Sequence, residues 1–537
     1  MLESVITKAR HFGDFLIALL LAIATAGIFR KITRLWWMFD DPFHFNILQR
    51  VSVLGTLYDK LLYNALGTPL FTPFLMMSLK IDLVVFGANA RPFYIHQLIV
   101  VALLPAIEYL LLRLWCSRIV AVSAVLITCL AGPTLSVVPI LMLRHYIGGA
   151  VLAMIATILF VRALREGSAA MAIASAIVYF IAAGTKEIYV PLPALLLVIP
   201  EGTWRQRIRM LVPHAVAGVL AAAWRLSIIG MNVGAYGFVV RPEERFGRMV
   251  TLPLRAVREF AGSQSALAIA LTVAVVACAA LLFVRVRAAR LPLTVAIAVA
   301  LIPILPVATE LQPRWAFALW LVFSISVAFI PRAFPRGEIV VLIVLLLAIG
   351  AHATEWPARF RDVRRMSDEA RTFVTLGPND VLRNAETPPV TLGQLATRFP
   401  DAHGRAANDD LDLCPATGTL HRIFEYDVRR QQIVDEGPKP IVDSCRSIRT
   451  MPLSADFTFD EPGSFFWRLG PYSNGTYSFV LPGAQTYEVH RDGGFRSPGL
   501  PGLTFRVRYR SPSGWTTYSP DIKVDMIARR HTTFLRK

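Results

Sequence analysis

Charge is scarce in this sequence. Only 17% of its 537 residues are Asp, Glu, Lys or Arg, against 55% hydrophobic ones. Soluble domains carry about a quarter charged residues, so an ordinary water-soluble enzyme is excluded. Acidic residues are the scarcer sign, 37 against 55 basic, for a net charge of +18. Cysteine is rarer still, at five positions, and the ten histidines show no ligand-like spacing with Cys or carboxylates. No metal centre is expected, and no cofactor.

The scarcity is uneven. Residues 1–354 hold 30 basic and 15 acidic side chains, and 355–537 hold 25 and 22. The first part is therefore about 13% charged and the second about 26%, the soluble value. This predicts a polytopic α-helical membrane domain over 1–354 and a water-soluble domain over 355–537. Crossing hydrocarbon takes about 20 mostly apolar residues, because lipid satisfies no backbone polar group. Eleven segments qualify: 12–29, 93–112, 119–138, 146–163, 169–184, 187–200, 211–229, 264–284, 291–308, 315–331 and 338–353. The first follows Lys8 and Arg10 like a signal peptide, but no small-residue cleavage site follows it, so it reads as an anchor.

Basic residues in short loops set sidedness. With the N-terminus inside, the inner turns hold Arg113 and Arg118, Arg162 and Arg165, Arg205, Arg207 and Arg209, Arg285, Arg287 and Arg290, and Arg332 and Arg336. Every inner turn is then basic. The first outer loop, 30–92, is basic too, and long loops obey the rule poorly. An odd number of spans puts 355–537 outside. Cys414 and Cys445 are the one pair in that tail, and a disulfide between them suits an oxidising outer compartment.

The polar oddities then share one side. The first outer loop opens with Trp36-Trp37-Met38-Phe39-Asp40-Asp41-Pro42-Phe43-His44. Two carboxylates among aromatics beside a membrane are costly unless paired or functional. Asp41 before Pro42 reads as a helix N-cap with Pro at the first helical position. That leaves Asp40 without a structural duty, and a carboxylate beside a like charge and apolar rings is pushed towards general-base use. Arg144-His145-Tyr146, Lys186-Glu187 and the turn Glu310-Leu311-Gln312-Pro313-Arg314-Trp315 fall on the same side. Each alone reads as an interfacial anchor. Together, carboxylates for proton removal and cations for a phosphate are what phosphate-linked group transfer needs. The stretch 71–87 is apolar but carries Lys80 and Asp82 mid-run, which predicts an interfacial or re-entrant helix.

These residues resemble a family. A first span, an acidic pair in the outer loop and then TPFLMMSLKIDLVVFGANARPFYIHQLIV look like the lipid-phosphosugar-dependent glycosyltransferases of the GT-C superfamily. The bacterial relatives of the protein O-mannosyltransferases are the nearest in flavour. Their Pro-containing helix, Phe-Gly turn and His-containing second span are similar to Phe86-Gly87 and His96 here. Their Lys-Glu segment resembles Lys186-Glu187 before Pro191 and Pro193, and their late Arg-aromatic motif resembles Arg314-Trp315-Ala316-Phe317. The resemblance covers about 1–330. It implies that Asp40 and Asp41 hold the catalytic-base position, and that Arg314 and Lys186 lie near the donor phosphate. His44, Arg144, His145, Glu187 and Glu310 complete the expected substrate-binding set. Two departures stand out: the tail has no 34-residue repeat, and Arg144-His145 lacks the family's fuller His-Glu pattern.

In the tail, 355–372 predicts a helical stalk, and 375–450 a mixture of short elements. From about 455 the alternation of Phe457-Thr458-Phe459, Thr476–Val480 and Thr504–Tyr509 predicts β-structure bounded by Gly and Pro turns. Trp467, Tyr472, Trp515 and Tyr518 read as local packing before sugar stacking, and Asn474-Gly475-Thr476 as a turn before a glycosylation site.

The expected activity is an inverting transfer of a sugar from a polyprenyl phosphate to an envelope glycan, lipid or protein. It would take place on the outer face of a bacterial-type inner membrane, with the N-terminus cytoplasmic and the tail periplasmic. Membrane lipids are expected partners and nucleic acid is not. A flippase of lipid-linked sugars would use charges within the spans, but few mid-span charges stand there apart from Glu108 and Arg225, and no obvious inverted repeat is visible. A non-catalytic assembly protein would act through its tail. A reporter fused after Phe360 is expected to be active only in the outer compartment. A cysteine placed at Arg207 should stay unlabelled from outside, and labelling there would reverse the orientation.

Overall fold

The computed structural model of the chain describes residues 2–66, 71–230, 247, 250–261, 265–304, 311–378, 380–407, 421–439, 447–460, 464–481, 485–496, 504–523 and 530–534. They form two compact units. The first is built from Met1–Leu35, Leu48–Gly234 and Arg248–Phe360; the second combines Trp36–Ile47 with Arg361–Lys537.

The first unit is helical. Among the described residues seven helices are long and apolar enough to cross a membrane: Phe12–Arg34, Ala90–Leu112, Leu141–Glu166, Trp204–Ile229, Ala266–Arg285, Arg287–Ile304 and Gly337–Phe373, the first, third and sixth of these including short 3-10 turns and the last running on into the second unit. The chain is a multi-pass membrane protein. Helix ends follow local chemistry. Asn89, Ser168 and Thr203 accept from the backbone N–H groups of Arg91, Met171 and Gln206, so three helices start on side-chain caps. Helix Arg144–Glu166 ends on Gly167 at φ 67°, the left-handed conformation that glycine adopts most easily. Arg144–Glu166 packs on Ala169–Thr185, where Ser175 Oγ donates to the Ala156 carbonyl, and Ala156, Ala163, Ala172 and Ala176 on the two helices are buried. Small side chains let backbones approach where lipid supplies no hydrophobic drive.

The four remaining expected spans coincide with shorter apolar helices, each cut for a reason. The segment 119–138 breaks at Ala131-Gly132-Pro133 into Arg118–Leu130 and Thr134–Val137. Gly132 has φ +62°, and a Cβ there would sit 2.8 Å from the Trp320 ring, while Pro133 supplies no N–H. The segment 187–200 becomes a 3-10 turn Glu187–Tyr189 and a seven-residue helix Leu192–Val198, divided at Pro191. Seven residues rise about 10 Å, a third of the hydrocarbon thickness. Ala169–Thr185 has 17 residues, and Phe317–Val327 lies between two 3-10 turns.

Two boundaries also moved. Arg205, Arg207 and Arg209, expected in a turn, lie in the first turns of Trp204–Ile229. The stalk is continuous with the last span as one 37-residue helix, Gly337–Phe373, extended by the i,i+4 pairs Arg359–Glu355, Arg364–Asp368 and Arg365–Glu369. The stretch 71–87 contains the helix Pro73–Phe86, with Lys80 and Asp82 buried and Ile81, Val84 and Val85 exposed.

The second unit holds a mixed sheet and a β-sandwich. Strands β1 (Asp380–Arg383), β2 (Arg405–Ala407), β3 (His421–Asp427) and β4 (Gln432–Lys439) lie in the order β2-β1-β3-β4, with β1 parallel to β2 and β3. Helix Pro389–Arg398 joins β1 to β2 and covers Leu382 with Leu392 and Leu395. The sandwich follows: β5 (Leu453–Asp460), β6 (Ser464–Gly470), β7 (Thr476–Leu481), β8 (Gln485–Val489), β9 (Asp492–Arg496), β10 (Thr504–Arg510), β11 (Thr516–Tyr518), β12 (Ile522–Lys523) and β13 (Arg530–Phe534). One sheet runs β11-β10-β7-β8, with β12 beside β10, and the other β13-β5-β6-β9. Period-two alternation turns Phe457, Phe465, Trp467, Phe479, Phe505 and Tyr509 into one aromatic core.

The expected strands are all present, and the tail aromatics pack locally. Trp467 is buried and donates to the His490 carbonyl, and Tyr472 stacks on Tyr509 at 4.4 Å. Trp515 meets both tyrosines, and Tyr518 packs on Val480. Gly475 has φ +127° in the Asn474-Gly475 turn, where the Tyr509 hydroxyl reaches the Asn474 carbonyl. Phe465 touches four other rings of this core. Phe465→Ala should destabilise the sandwich by about 3–5 kcal/mol, read as early loss of tail protease resistance on heating in detergent. Unchanged resistance would deny the aromatic core its role.

Candidate active site

The acidic pair belongs to the second unit, which was not evident from its place in the chain. Trp36 donates its N–H to Ser367 Oγ at 2.7 Å, Thr391 Oγ1 donates to the Phe39 carbonyl at 2.7 Å, and Asn46 Nδ2 bonds both oxygens of Gln394. Trp36 also packs on Phe399.

Within this segment a tight turn presents the carboxylates. Asp41 N–H donates to the Met38 carbonyl at 3.0 Å, and Met38 N–H donates back to Asp41 Oδ2 at 3.1 Å. Phe39 adopts φ 51° inside this closed turn, an uncommon conformation for a bulky residue. The expected cap is therefore corrected. The helix is Asp41–Leu48, and the Asp40 carbonyl receives the His44 N–H, so Asp40 holds the N-cap position by its backbone. Asp41 is a first-turn residue whose carboxylate reaches back to Met38, with its side chain fully buried. Asp40 is exposed, and its carboxylate makes no hydrogen bond among the described residues. His44 Nδ1 lies 2.7 Å from the Asp40 carbonyl, which can only accept, so this nitrogen carries the proton. Burial pushes the His44 imidazole below its ordinary range, against the pull of that carbonyl and of the Asp40 carboxylate.

The cations lie in the first unit, in two groups. Arg144 is buried and fully engaged. Its Nη1 meets Asp82 Oδ2 at 2.7 Å and Ser78 Oγ at 3.0 Å, Nε meets Gln97 Oε1 at 3.2 Å, and Nη2 meets the Phe93 carbonyl at 2.9 Å. His96 Nδ1 is 2.8 Å from Asp82 Oδ1. Asp82 thus binds together Pro73–Phe86, Ala90–Leu112 and Arg144–Glu166. His145 is buried with its ring 4.6 Å from Tyr146. Beside this network Lys80 Nζ donates to the Leu48 carbonyl. In sequence, the sign of this assembly was two charges in an apolar run, Lys80 and Asp82; nothing marked Gln97 as their neighbour.

The second group is less committed. Lys186 Nζ lies 5.5 Å over the Tyr146 ring and 3.5 Å from Glu187 Oε2. Glu187 Oε1 accepts from Phe71 N–H. Arg314 stacks on Trp315 at 5.4 Å and, like Glu187, lies within electrostatic reach of the Tyr146 hydroxyl. Arg314 Nε is buried and bonds nothing among the described residues. Tyr189 donates its hydroxyl to the Tyr146 carbonyl. Glu310, expected here, lies outside the described residues, as do Cys414 and Cys445.

Tyr189 also lines an apolar cavity of about 320 Å³, a size within the roughly 300–1,000 Å³ of small-molecule sites. Ala150, Met154, Leu192, Leu293, Trp115 and Arg332 are among its walls. Elsewhere in this unit Glu108 is buried, accepting from Thr128 Oγ1 at 2.7 Å. No group of three or more potential metal ligands occurs among the described residues.

No known family model and no curated protein matches the chain. Among solved structures, it is similar to ArnT from Cupriavidus metallidurans bound to undecaprenyl phosphate, at 13% identity and TM-score 0.42 over 77% of this chain and 93% of that one. The apo form of that protein gives 14% and 0.43 over 78% and 93%. The apo oligosaccharyltransferase of Archaeoglobus fulgidus gives 11% and 0.44 over 88% and 74%. Identities this low set no residue correspondence.

Removing one partner of a buried ion pair leaves the other uncompensated. Arg144→Ala should therefore cost about 3–5 kcal/mol, seen as a lower melting temperature in detergent, and adding Asp82→Ala should recover part of it. Wild-type melting of Arg144→Ala would show that the pair is dispensable.

Proposed function

We propose that the chain is a membrane glycosyltransferase that moves a sugar from a polyprenyl-phosphate carrier to a hydroxyl acceptor. The observation that carries this reading is a juxtaposition in the first unit. An apolar cavity is walled at Tyr189, and Tyr189 is tied to the backbone of Tyr146, over whose ring Lys186 stands. A lipid phosphate asks for that pair of environments: an enclosure for its tail and cations for its head. Lys186 and Arg314 supply the charge. Arg144 does not, because its guanidinium is spent on Asp82, Ser78, Gln97 and Phe93.

In the proposed reaction Asp40 takes the proton of the acceptor hydroxyl. The freed oxygen attacks the anomeric carbon, and the bond from that carbon to the phosphate oxygen breaks with its electrons staying on the phosphate. The configuration inverts. Lys186 and Arg314 neutralise the leaving phosphate, which is where positioned cations do most for such a transfer. Asp40 suits the base because its carboxylate is exposed and uncommitted, whereas Asp41 is buried and holds the turn at Met38. The acceptor is an envelope glycan, lipid or protein on the outer face of an inner membrane, with the N-terminus cytoplasmic and the tail outside.

Asp40→Asn should abolish transfer by the purified protein from polyprenyl-phosphate pentose or hexose, with expression and melting near wild type. Asp41→Asn should lower stability through the Met38 turn and keep partial activity. A fully active Asp40→Asn protein would sink the assignment. An inactive but stable Asp41→Asn protein would move the base one residue along.

A further inference from the structure

Tyr189 occupies a position that its chemistry alone does not explain. It ends the 3-10 turn Glu187–Tyr189, so the backbone that carries Glu187 also carries the ring lining the cavity. The Cδ2–Cε2 edge of the ring lies against Gly149. A Cβ at that glycine would stand 2.2 Å from Cε2 and 2.5 Å from Cδ2. Real Cβ atoms do not approach so closely, so the ring's seat exists only because residue 149 has no side chain. The hydroxyl is fixed as well, donating to the Tyr146 carbonyl. Tyr146 in turn carries Lys186 over its ring and packs edge-on to Phe317, three residues beyond Arg314. One side chain is thus seated on a helix, tied at its tip, part of the wall of an apolar enclosure and bonded to the residue over whose ring Lys186 stands.

We propose that Tyr189, seated on Gly149, is the partition that fixes where the lipid tail ends and the phosphate begins, and so makes the site selective for long-chain isoprenyl phosphates. The inference rests on the lipid-phosphate reading above and adds a residue pair and a substrate property to it. Tyr189 is a positioning residue: it bonds backbone, and it acts by holding the boundary between two environments. A long chain fills the cavity and feels the position of that boundary. A short chain is held by the cations alone and does not.

The test is binding of two probes, undecaprenyl phosphate and geranyl phosphate, to the full-length protein in detergent. The wild type should prefer the long chain. Tyr189→Phe removes one hydrogen bond while keeping the ring, and should weaken undecaprenyl phosphate by roughly 3- to 10-fold, the span of one ordinary hydrogen bond. Geranyl phosphate should change by less than about 2-fold, since it makes no use of that bond. Gly149→Ala drives the ring from its seat and should likewise weaken only the long probe. In Gly149→Ala with Tyr189→Ala the clash is gone, so the double variant should bind no worse than Tyr189→Ala alone. Lys186→Met should weaken both probes together. Equal losses for both probes in Tyr189→Phe, no loss for either, or additive losses in the double variant would overturn the partition while leaving the lipid-phosphate reading intact. A wild type without preference for the long chain, or a Lys186→Met protein that binds both probes normally, would instead remove that reading and the partition with it.

Discussion

Asp82 and Arg144 are buried against one another, Nη1 to Oδ2 at 2.7 Å, in a unit otherwise built of apolar helices. Neither charge is tolerable there alone, since desolvation of one ion costs several kcal/mol. The remaining hydrogen-bonding groups of the pair are met by His96, Ser78, Gln97 and the Phe93 carbonyl, so the network is satisfied rather than half-made. It joins three helices and fixes the start of Arg144–Glu166. Tyr146 and Gly149, two and five residues further along that helix, then carry Lys186 and seat Tyr189. The cation group and the cavity wall thus depend on a helix whose start that ion pair fixes.

The same logic separates the two adjacent carboxylates. Chemically identical side chains, one residue apart, face different surroundings. Asp41 closes the Met38–Asp41 turn from a buried position, and Asp40 stands exposed at the helix start with only its carbonyl in use. A turn-closing carboxylate and an exposed one are distinguished here by burial and hydrogen bonding alone.

Interrupted helices give the membrane unit its cavity. Proline and glycine end segments before they cross: Gly132-Pro133 turns the chain under the Trp320 ring, and Pro191 splits 187–200 into a turn and a short helix. Leu192 and Ile188 line the cavity from that split segment. An unbroken helix over 187–200 would have carried Tyr189 on a regular face, away from the 3-10 turn that now brings it onto Gly149.

Much of this was written in the chain itself. Hydrophobic runs and the charge contrast across residue 354 determined a helical membrane part and a soluble tail, because burying a backbone in lipid admits few alternatives. Period-two alternation in Thr504–Tyr509 and its neighbours determined the β-strands, because a pleated strand must turn alternate side chains to the core. Lys80 and Asp82 marked 71–87 as a helix unlike the spans, because two charges interrupt its apolar run. Tertiary structure decided what lay beyond local pattern. It chose Arg144 as the partner of Asp82 across 62 residues, joined Trp36–Ile47 to the tail unit through Ser367, Thr391 and Gln394, and set Tyr189 on Gly149. Those contacts depend on which surfaces meet after the chain has folded. Pairing energies at a distance leave no period, cap or turn signal along the sequence, so only the packed molecule reveals that Arg144 is spent on Asp82 while Lys186 pairs with its neighbour Glu187 over the Tyr146 ring.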